Sequence, residues 1–483
     1  MAKRTAVIDI GSNSMRMVIF ERTSRFAFFT LSEYKMRVRL GEGGYESGGK
    51  ISQNAMQRAF LALREFSIIA KSYKCTKIFC VGTSALRDAP NSGDFISLVR
   101  SELGINLRVI DGKSEANYGA VAAKNLLCVP KQSVTIDIGG GSSELGLIKN
   151  GVVTDTISLD IGTVRLKELF FDNKKTQKVQ NFIKETIKQI PSHFKCENVI
   201  AIGGSLRAIS SAIMKKTLYP MPTLHGFCYK FDEQVKFIDD IAKAKIDDLE
   251  NFFIKKDRFD TIREGALIFL GLCKFLGAKQ IFTSGVGVRE GVFLSDFLRP
   301  SLKFPANFNP SLKSLQDRFV LISNKNVAKN VRAIFHALKP LHALDDGYLY
   351  ALDVASRVHN AGQDIGFYND HINSAYIVQN ALNFGFTHEQ KALISAIIST
   401  NGKKVIYDYE RFKRLLPKQS VVRWLSFMLA LARLLDINNN KLALKFQLEG
   451  QILRIFGAKE LFMAKEEIKK LIPPENFAIS FES

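Results

Sequence analysis

The sequence has no C-x-x-C pair among its six cysteines, and no uncharged apolar run of the ~18–20 residues needed to cross a bilayer. The longest near-candidate, Leu425 to Leu435, already contains Arg433. The first absence argues against a zinc site and a disulfide framework. Cys75, Cys80, Cys128, Cys196, Cys228 and Cys273 sit mostly in apolar settings and read as reduced, buried thiols of a cytoplasmic protein. The N-terminus, Met1-Ala2-Lys3-Arg4-Thr5, leads into a short apolar strand interrupted by Asp9, which is not the pattern of a signal peptide. Low-complexity segments are missing as well. Acids are in deficit: 47 Asp and Glu stand against 68 Lys and Arg, for a net charge of +21. The basic residues are spread along the chain. That balance either aids solubility or attracts a polyanion: polyphosphate, a nucleotide or nucleic acid. Charge alone does not separate those three. With 483 residues and 46% hydrophobic content, the chain is long enough for roughly two to four globular domains.

The most informative stretch is Ser133-Val134-Thr135-Ile136-Asp137-Ile138-Gly139-Gly140-Gly141-Ser142-Ser143-Glu144-Leu145-Gly146-Leu147. It reads as a strand, a tight turn and a returning strand. Glycines let backbone N–H groups close around an anion, and the serine hydroxyls add donors. The flanking carboxylates would repel a bare phosphate, so they suit a site where a divalent cation sits between acid and phosphate. The stretch Ala6-Val7-Ile8-Asp9-Ile10-Gly11-Ser12-Asn13-Ser14-Met15-Arg16-Met17-Val18 repeats the layout. Asp9 matches Asp137, Gly11 matches Gly139 and Ser14 matches Ser142, all at one offset. A single copy is an ordinary strand end. Two in register suggest two similar subdomains whose acids, Asp9 and Asp137, face each other across a cleft.

Residues 1 to about 125 read as α/β, with strand signals at Thr5–Phe20, Ile78–Val81 and Leu107–Ile110 and a helix N-capped by Ser52. Between them Lys35 to Leu40 reads as a basic strand ending in a glycine-rich loop. A second α/β unit runs from 126 to 305, with strands Asn198–Ile202 and Gln280–Thr283, each followed by a glycine turn. A break falls around Pro300 to Pro310. From 306 to 440 the spacing turns helical, at Val331–Leu344, Gly347–His359, His371–Phe384, Glu389–Ser399 and Val421–Leu435. Residues 441–483 read as a hairpin followed by a helix from about Lys459 to Leu471.

Other constellations carry both a chemical and a plain reading. Gly82-Thr83-Ser84-Ala85-Leu86-Arg87-Asp88 after a strand offers hydroxyls, N–H groups and a guanidinium to an anion, or is a capped helix with Arg87 paired to an acid. Gly112-Lys113-Ser114 resembles the end of a Walker A loop, but its leading glycine position holds Leu107, which excludes a P-loop. Glu115 beyond it is either a helix-dipole partner or a general base. Gly203-Gly204-Ser205-Leu206-Arg207 ends a strand and can grip phosphate or simply turn. Of the histidines His336, His342, His359, His371 and His388, only His359-Asn360 imitates a metal-binding His-Asp pair, and asparagine replaces poorly a bridging carboxylate.

Together these motifs resemble the exopolyphosphatase/guanosine pentaphosphate phosphohydrolase (Ppx/GppA) family. The resemblance rests on Ile8 to Arg16, Val38-Arg39-Leu40-Gly41-Glu42-Gly43, Thr83 to Ala89, Ser114-Glu115-Ala116, Asp137 to Glu144, Ile202 to Ser205, and Ser284-Gly285-Val286-Gly287-Val288-Arg289-Glu290-Gly291. The family fold implies two duplicated actin-like α/β domains, of the sugar-kinase and Hsp70 superfamily. A mainly helical HD-like domain and a small terminal α+β piece would follow. By the same resemblance, Glu115 is the catalytic base and Arg87 the phosphate-gripping arginine. Asp9, Asp137 and Glu144 hold Mg²⁺ or Mn²⁺. Ser12, Asn13, Ser14, Arg16, Gly139, Gly140, Gly141, Ser142, Ser143, Gly204, Ser205, Arg207 and Arg289 bind phosphate. Ser114 stands where many members carry a second acid. The implied reaction releases orthophosphate from the ends of inorganic polyphosphate. The alternative substrate is guanosine pentaphosphate, with guanosine tetraphosphate as product. A sugar kinase and a non-enzymatic sensor of such anions are the other readings. A cytoplasmic homodimer, with no membrane and no specific nucleic-acid partner, is expected.

Overall fold

A computed structural model describes every residue except 1–2, 45–47, 174–175, 323, 407, 440–441, 459–460 and 483. The chain divides into two compact units, Met1–Phe308 and Asn309–Ser483.

The first unit holds two sheets of one topology. In the first sheet β1 (Lys3–Ile10) pairs antiparallel with β2 (Met15–Ser24), which pairs antiparallel with β3 (Ala27–Met36). On its other side β1 runs parallel to β4 (Lys77–Gly82), and β4 to β5 (Leu107–Val109). The second sheet repeats this. β6 (Gln132–Ile138), β7 (Ser143–Lys149) and β8 (Val152–Leu159) form the antiparallel meander. β9 (Asn198–Ile202) lies parallel to β6; β10 (Cys228–Lys230) is an added antiparallel edge on β11 (Gln280–Thr283), itself parallel to β9. This is the duplicated actin-like arrangement. Ala6, Val7 and Ile8 on β1, and Val134, Thr135 and Ile136 on β6, are buried on both faces. That is the signature of central strands covered by helices on either side.

Each half lends a helix to the other. Helix Gly112–Leu126 follows the first sheet in sequence but packs on β7 and β8, its Ala120 and Ala123 against Ile148, Ile200 and Ile202. Helix Val288–Phe297 closes the second half but packs on β1, and Phe293 stacks on Phe20 with centroids 4.3 Å apart. The two helices cross where a Cβ on Gly291 would lie 2.0 Å from the Tyr118 carbonyl oxygen, so only glycine fits there. This exchange fixes the two sheets side by side.

Several local expectations need correction. β3 ends at Met36, so Arg37 to Leu40 are not strand; Arg39 takes φ +47°, its N–H donates to Asn13 O at 3.0 Å, and Gly41 N donates to Ser12 O at 2.9 Å. The glycine loop is thereby docked on the first turn. Cys128 and Cys228 are exposed rather than buried, Cys228 because it points outward from edge strand β10 while Tyr229 points in.

The second unit is mainly helical. The break read near Pro310 is a helix start: the Asn309 side chain accepts from Leu312 N at 2.9 Å, and Pro310 opens helix Pro310–Phe319. The helix expected over Val331–Leu344 is interrupted; Lys325–Ala337 ends before Pro340, which lies in a separate turn, Lys339–His342. Helices Lys325–Ala337, Tyr348–Val358 and His388–Thr400 pack on Gln419–Leu435, which buries Trp424, Leu425, Phe427, Met428 and Leu431 around its circumference, and Asp370–Ala381 packs on His388–Thr400. Asn360 accepts from Asn324 Nδ2 at 2.6 Å. The hairpin β12 (Lys445–Glu449) and β13 (Ile452–Phe456) gains a third strand that sequence patterning missed, β14 (Ala478–Glu482), parallel to β13. The terminal helix is shorter than expected, Phe462–Ile468; its expected start at Lys459 lies outside the described residues. No helix among the described residues is long and apolar enough to cross a membrane.

Candidate active site

The two acidic turns are built alike. Gly11 N donates to Ser14 O at 3.2 Å in the first, and Gly139 N to Ser142 O at 2.9 Å in the second. Each acid is the last residue but one of the strand before its turn, and the returning strand sets a residue opposite it: Arg16 faces Asp9, and Glu144 faces Asp137. The turns meet tip to tip, since a Cβ on Gly140 would lie 2.8 Å from the Ser12 Cβ. Between them lies a cavity of about 140 Å³.

Most of the residues expected to form a site do line this cavity: Asp9, Ser12, Asn13, Ser14, Arg16, Glu115, Asp137, Gly139, Gly140, Ser142, Gly204, Ser205, Arg207 and Arg289. Gly203 takes φ +91° and lets its backbone press against Asp137, where a Cβ would lie 2.5 Å from Oδ1. Asp9 and Asp137 thus share one gap. Ser12 Oγ is buried without a hydrogen-bond partner.

Arg87 does not itself line the cavity; from helix Ser84–Asp88 it reaches two residues that do, Glu115 and Ser142. One terminal nitrogen donates to Glu115 Oε2 at 3.0 Å and to Ile110 O at 3.1 Å; the other lies 3.4 Å from Ser142 Oγ. Glu115 is aimed by its helix: Asp111 caps the N-terminus, accepting from Ser114 N at 2.7 Å, and Glu115 follows in the first turn. The Gly112-Lys113-Ser114 triplet is that capped turn. Three expected residues lie in the wall behind. Gly141 O accepts from Arg165, Ser143 Oγ donates to Ile161 O at 2.5 Å, and Glu144 accepts from Ser158 Oγ at 2.9 Å.

Arg258 lines the cavity too, its guanidinium packed over Gly204, where a Cβ would meet it at 2.7 Å. Sequence reasoning missed it, because Lys255-Lys256-Asp257-Arg258 reads as a solvated charge run. Thr83, Ser84, Thr163 and Thr261 complete the polar lining. Arg16, Arg207, Arg258 and Arg289 therefore stand against Asp9, Glu115 and Asp137. Glu33 bridges two of the guanidinium groups, at 2.6 Å from Arg289 and 3.4 Å from Arg16.

Burial governs the electrostatics. It pushes Asp137 up to about 6 despite Arg207, and raises Asp9 despite Arg289. It pushes Glu144 up to about 7. Burial and then Glu144 lift Glu115 well above the ordinary carboxylate range, while Arg87 pulls it back. Arg16 is lowered to about 10, first by burial and then by Arg207. A site that strains both signs of charge is one that a polyanion with its counter-cation would relieve.

A match to the Ppx/GppA phosphatase family covers residues 4–300, and a match to domain III of Ppx/GppA phosphatases covers 310–464. Among solved structures, a Ppx/GppA family member from Aquifex aeolicus is 25% identical, with a TM-score of 0.53, over 62% of this chain and 99% of that one. An exopolyphosphatase from Cytophaga hutchinsonii is 22% identical, with a TM-score of 0.56, over 62% and 100%, a likeness of fold.

Proposed function

This chain belongs to the Ppx/GppA phosphatase family, and on that premise we propose that it is an exopolyphosphatase, releasing orthophosphate from the ends of inorganic polyphosphate. The observation that carries the reading is the Arg87–Glu115 pair set at the edge of a cavity gripped by two matched turns. The preference for polyphosphate rests on the lining. It offers four guanidinium groups and, among the described residues, no aromatic side chain on which a guanine base could stack.

In this reading the terminal phosphoryl group rests on the Gly139–Ser142 turn, with Ser12 Oγ and Ser142 Oγ as donors. Glu115 accepts a proton from water as that water attacks phosphorus. The bond from phosphorus to the bridging oxygen breaks, and the shortened chain leaves with its electrons. Arg87 lowers the proton affinity of Glu115 against the pull of burial and Glu144, and faces the charge that builds on the transferring oxygens. Positioning and electrostatics supply most of the acceleration in such chemistry. Arg16, Arg207, Arg258 and Arg289 hold the phosphoryl groups that follow.

A divalent cation fits the donor set. The carboxylates are hard oxygen donors, Asp9 and Asp137 are destabilised by burial, and Ser12 Oγ lacks a partner. Among the described residues no three His, Cys, Asp or Glu side chains cluster into a cage. Mg²⁺ or Mn²⁺ there would be held by one or two carboxylates together with substrate oxygens. Asp9 and Asp137 would hold it, with Glu144 behind them. When bound, the ion offsets charge on the phosphoryl oxygens.

The test is phosphate release from polyphosphate, guanosine pentaphosphate and ATP, side by side, with and without Mg²⁺. We expect the highest kcat/KM on polyphosphate and none without metal. A higher kcat/KM on guanosine pentaphosphate would instead establish that nucleotide as the substrate.

A further inference from the structure

We propose that Arg165 is a positioning residue for the Arg87–Glu115 pair: it ties Asp88, the neighbour of Arg87, to the triple-glycine turn, and so leaves the Arg87 guanidinium to Glu115 and Ser142. This rests on the hydrolytic role given above to Arg87 and Glu115.

Arg165 lies on the short helix Thr163–Leu166, which is nailed to the second turn. Thr163 N donates to Gly139 O at 3.0 Å, and Val164 N and Arg165 N donate to Gly140 O at 2.8 and 3.1 Å. The side chain makes the reverse connection. Its Nε donates to Gly141 O at 2.8 Å, and a terminal nitrogen donates to Asp88 Oδ2 at 3.0 Å. It thereby spans from the second sheet's turn to the helix that carries Arg87 in the first half. The helix continues into a π-helical turn, Lys167–Phe171, where Glu168 accepts from Gly43 N at 2.8 Å. This one segment therefore grips the first half at two points. Turns of that kind recur at functional positions.

Asp88 is the reason such a tie matters. Its Oδ1 lies 3.7 Å from Arg87 Nε, close enough to compete for the guanidinium. Arginine–carboxylate pairs are frequently bidentate, so a freed Asp88 carboxylate can draw the guanidinium towards itself. Here Oδ2 is occupied instead, by Arg165 and by Ser84 Oγ at 3.2 Å. Arg87 then points its two terminal nitrogens at Glu115 and Ser142. Lysine cannot replace Arg165, because one ammonium does not reproduce a planar fork that meets Gly141 O and Asp88 together.

The experiment is a double-mutant cycle on phosphate release, with R165A, R165K, D88N and R165A/D88N assayed on whichever substrate the parent turns over best. R165A should lower kcat on the order of 10²-fold, as a misplaced catalytic group does, with KM changed by less than about threefold. R165K should recover little of it. In the D88N background the competitor is gone, so R165A should cost less than about threefold in kcat; that non-additivity is the signature of coupled residues. Equal losses in both backgrounds, or a loss confined to KM, would overturn the role given to Arg165 while leaving the hydrolytic reading intact. A parent that releases phosphate from none of the substrates overturns the hydrolytic reading instead. Should R165A fail to fold, R165K against R165K/D88N carries the same comparison.

Discussion

The two acidic turns share a backbone but not a charge. In each, an acid stands one residue before the end of the central strand, a glycine N–H closes the turn on a serine carbonyl, and a hydroxyl reaches the cavity. Opposite the acid the first turn carries Arg16, and the second carries Glu144. Arg16 joins Arg207 and Arg289, all close enough to depress its proton affinity. Glu144 joins Glu115 and Arg87. One duplicated frame has thus been divided into a cationic side that suits holding a phosphate chain and an acidic side that suits activating water. On the turns themselves one position of the returning strand carries the difference, because strand register delivers that residue to the same place in both halves.

The largest expected effect breaks the acidic side. Glu115→Gln keeps the shape and removes the proton acceptor, so kcat should fall ~10²–10⁴-fold with KM nearly unchanged. Stopped-assay kinetics would check it, and an unaltered kcat would remove Glu115 from the chemistry. A smaller effect comes from the cationic side. Arg16→Gln should raise KM for long polyphosphate about tenfold, as loss of a charge-assisted hydrogen bond does, while kcat stays within a few-fold. It should also flatten the rise of KM with salt, since fewer charges meet the polyanion. A kcat collapse in Arg16→Gln with KM unmoved would erase the division of labour.

The sequence made the acids, glycines and hydroxyls of both turns legible because they recur at a constant offset, and a repeat is visible without any fold. Strand existence was equally plain wherever apolar residues crowd together, as in Val134 to Ile136. Glu115, Gly204, Ser205, Arg207 and Arg289 were found from other elements because motifs carry them, whereas residues outside those motifs were not legible. Arg258 arrives from a short turn within a charged run, and nothing local separates it from the solvated lysines at 255 and 256. Arg165 follows the second turn closely in sequence but works on Asp88, a contact that exists only once the halves meet. Ser143 carried the opposite ambiguity: beside Ser142 it looks like a second phosphate ligand, but strand alternation turns its hydroxyl to Ile161 O. Helix exchange between the halves left no sequence trace, since amphipathicity says that a helix packs and not on which sheet.

The smallest effect sharpens the contrast through pH. Asp137 and Glu144 are pushed up to about 6 and about 7, chiefly by burial, from ordinary values of 3.8 and 4.5. A carboxyl whose folded pKa is raised binds its proton more tightly when folded. The stability it contributes is present in full below its unfolded pKa and is lost as pH rises through the folded one. Metal-free protein should therefore melt at progressively lower temperature between about pH 4 and 7 on account of these two groups. Asp137→Asn and Glu144→Gln should each flatten that decline. Arg16, lowered only to about 10, stays charged across this window and holds down the proton affinity of Asp9 and Asp137, so Arg16→Gln should steepen the decline where the carboxyl variants flatten it. Thermal melts of the three variants at matched ionic strength make the comparison. If Arg16→Gln flattens the decline as Glu144→Gln does, the two turns do not differ in their ionisation, and the asymmetry at the facing position is one of size and shape alone.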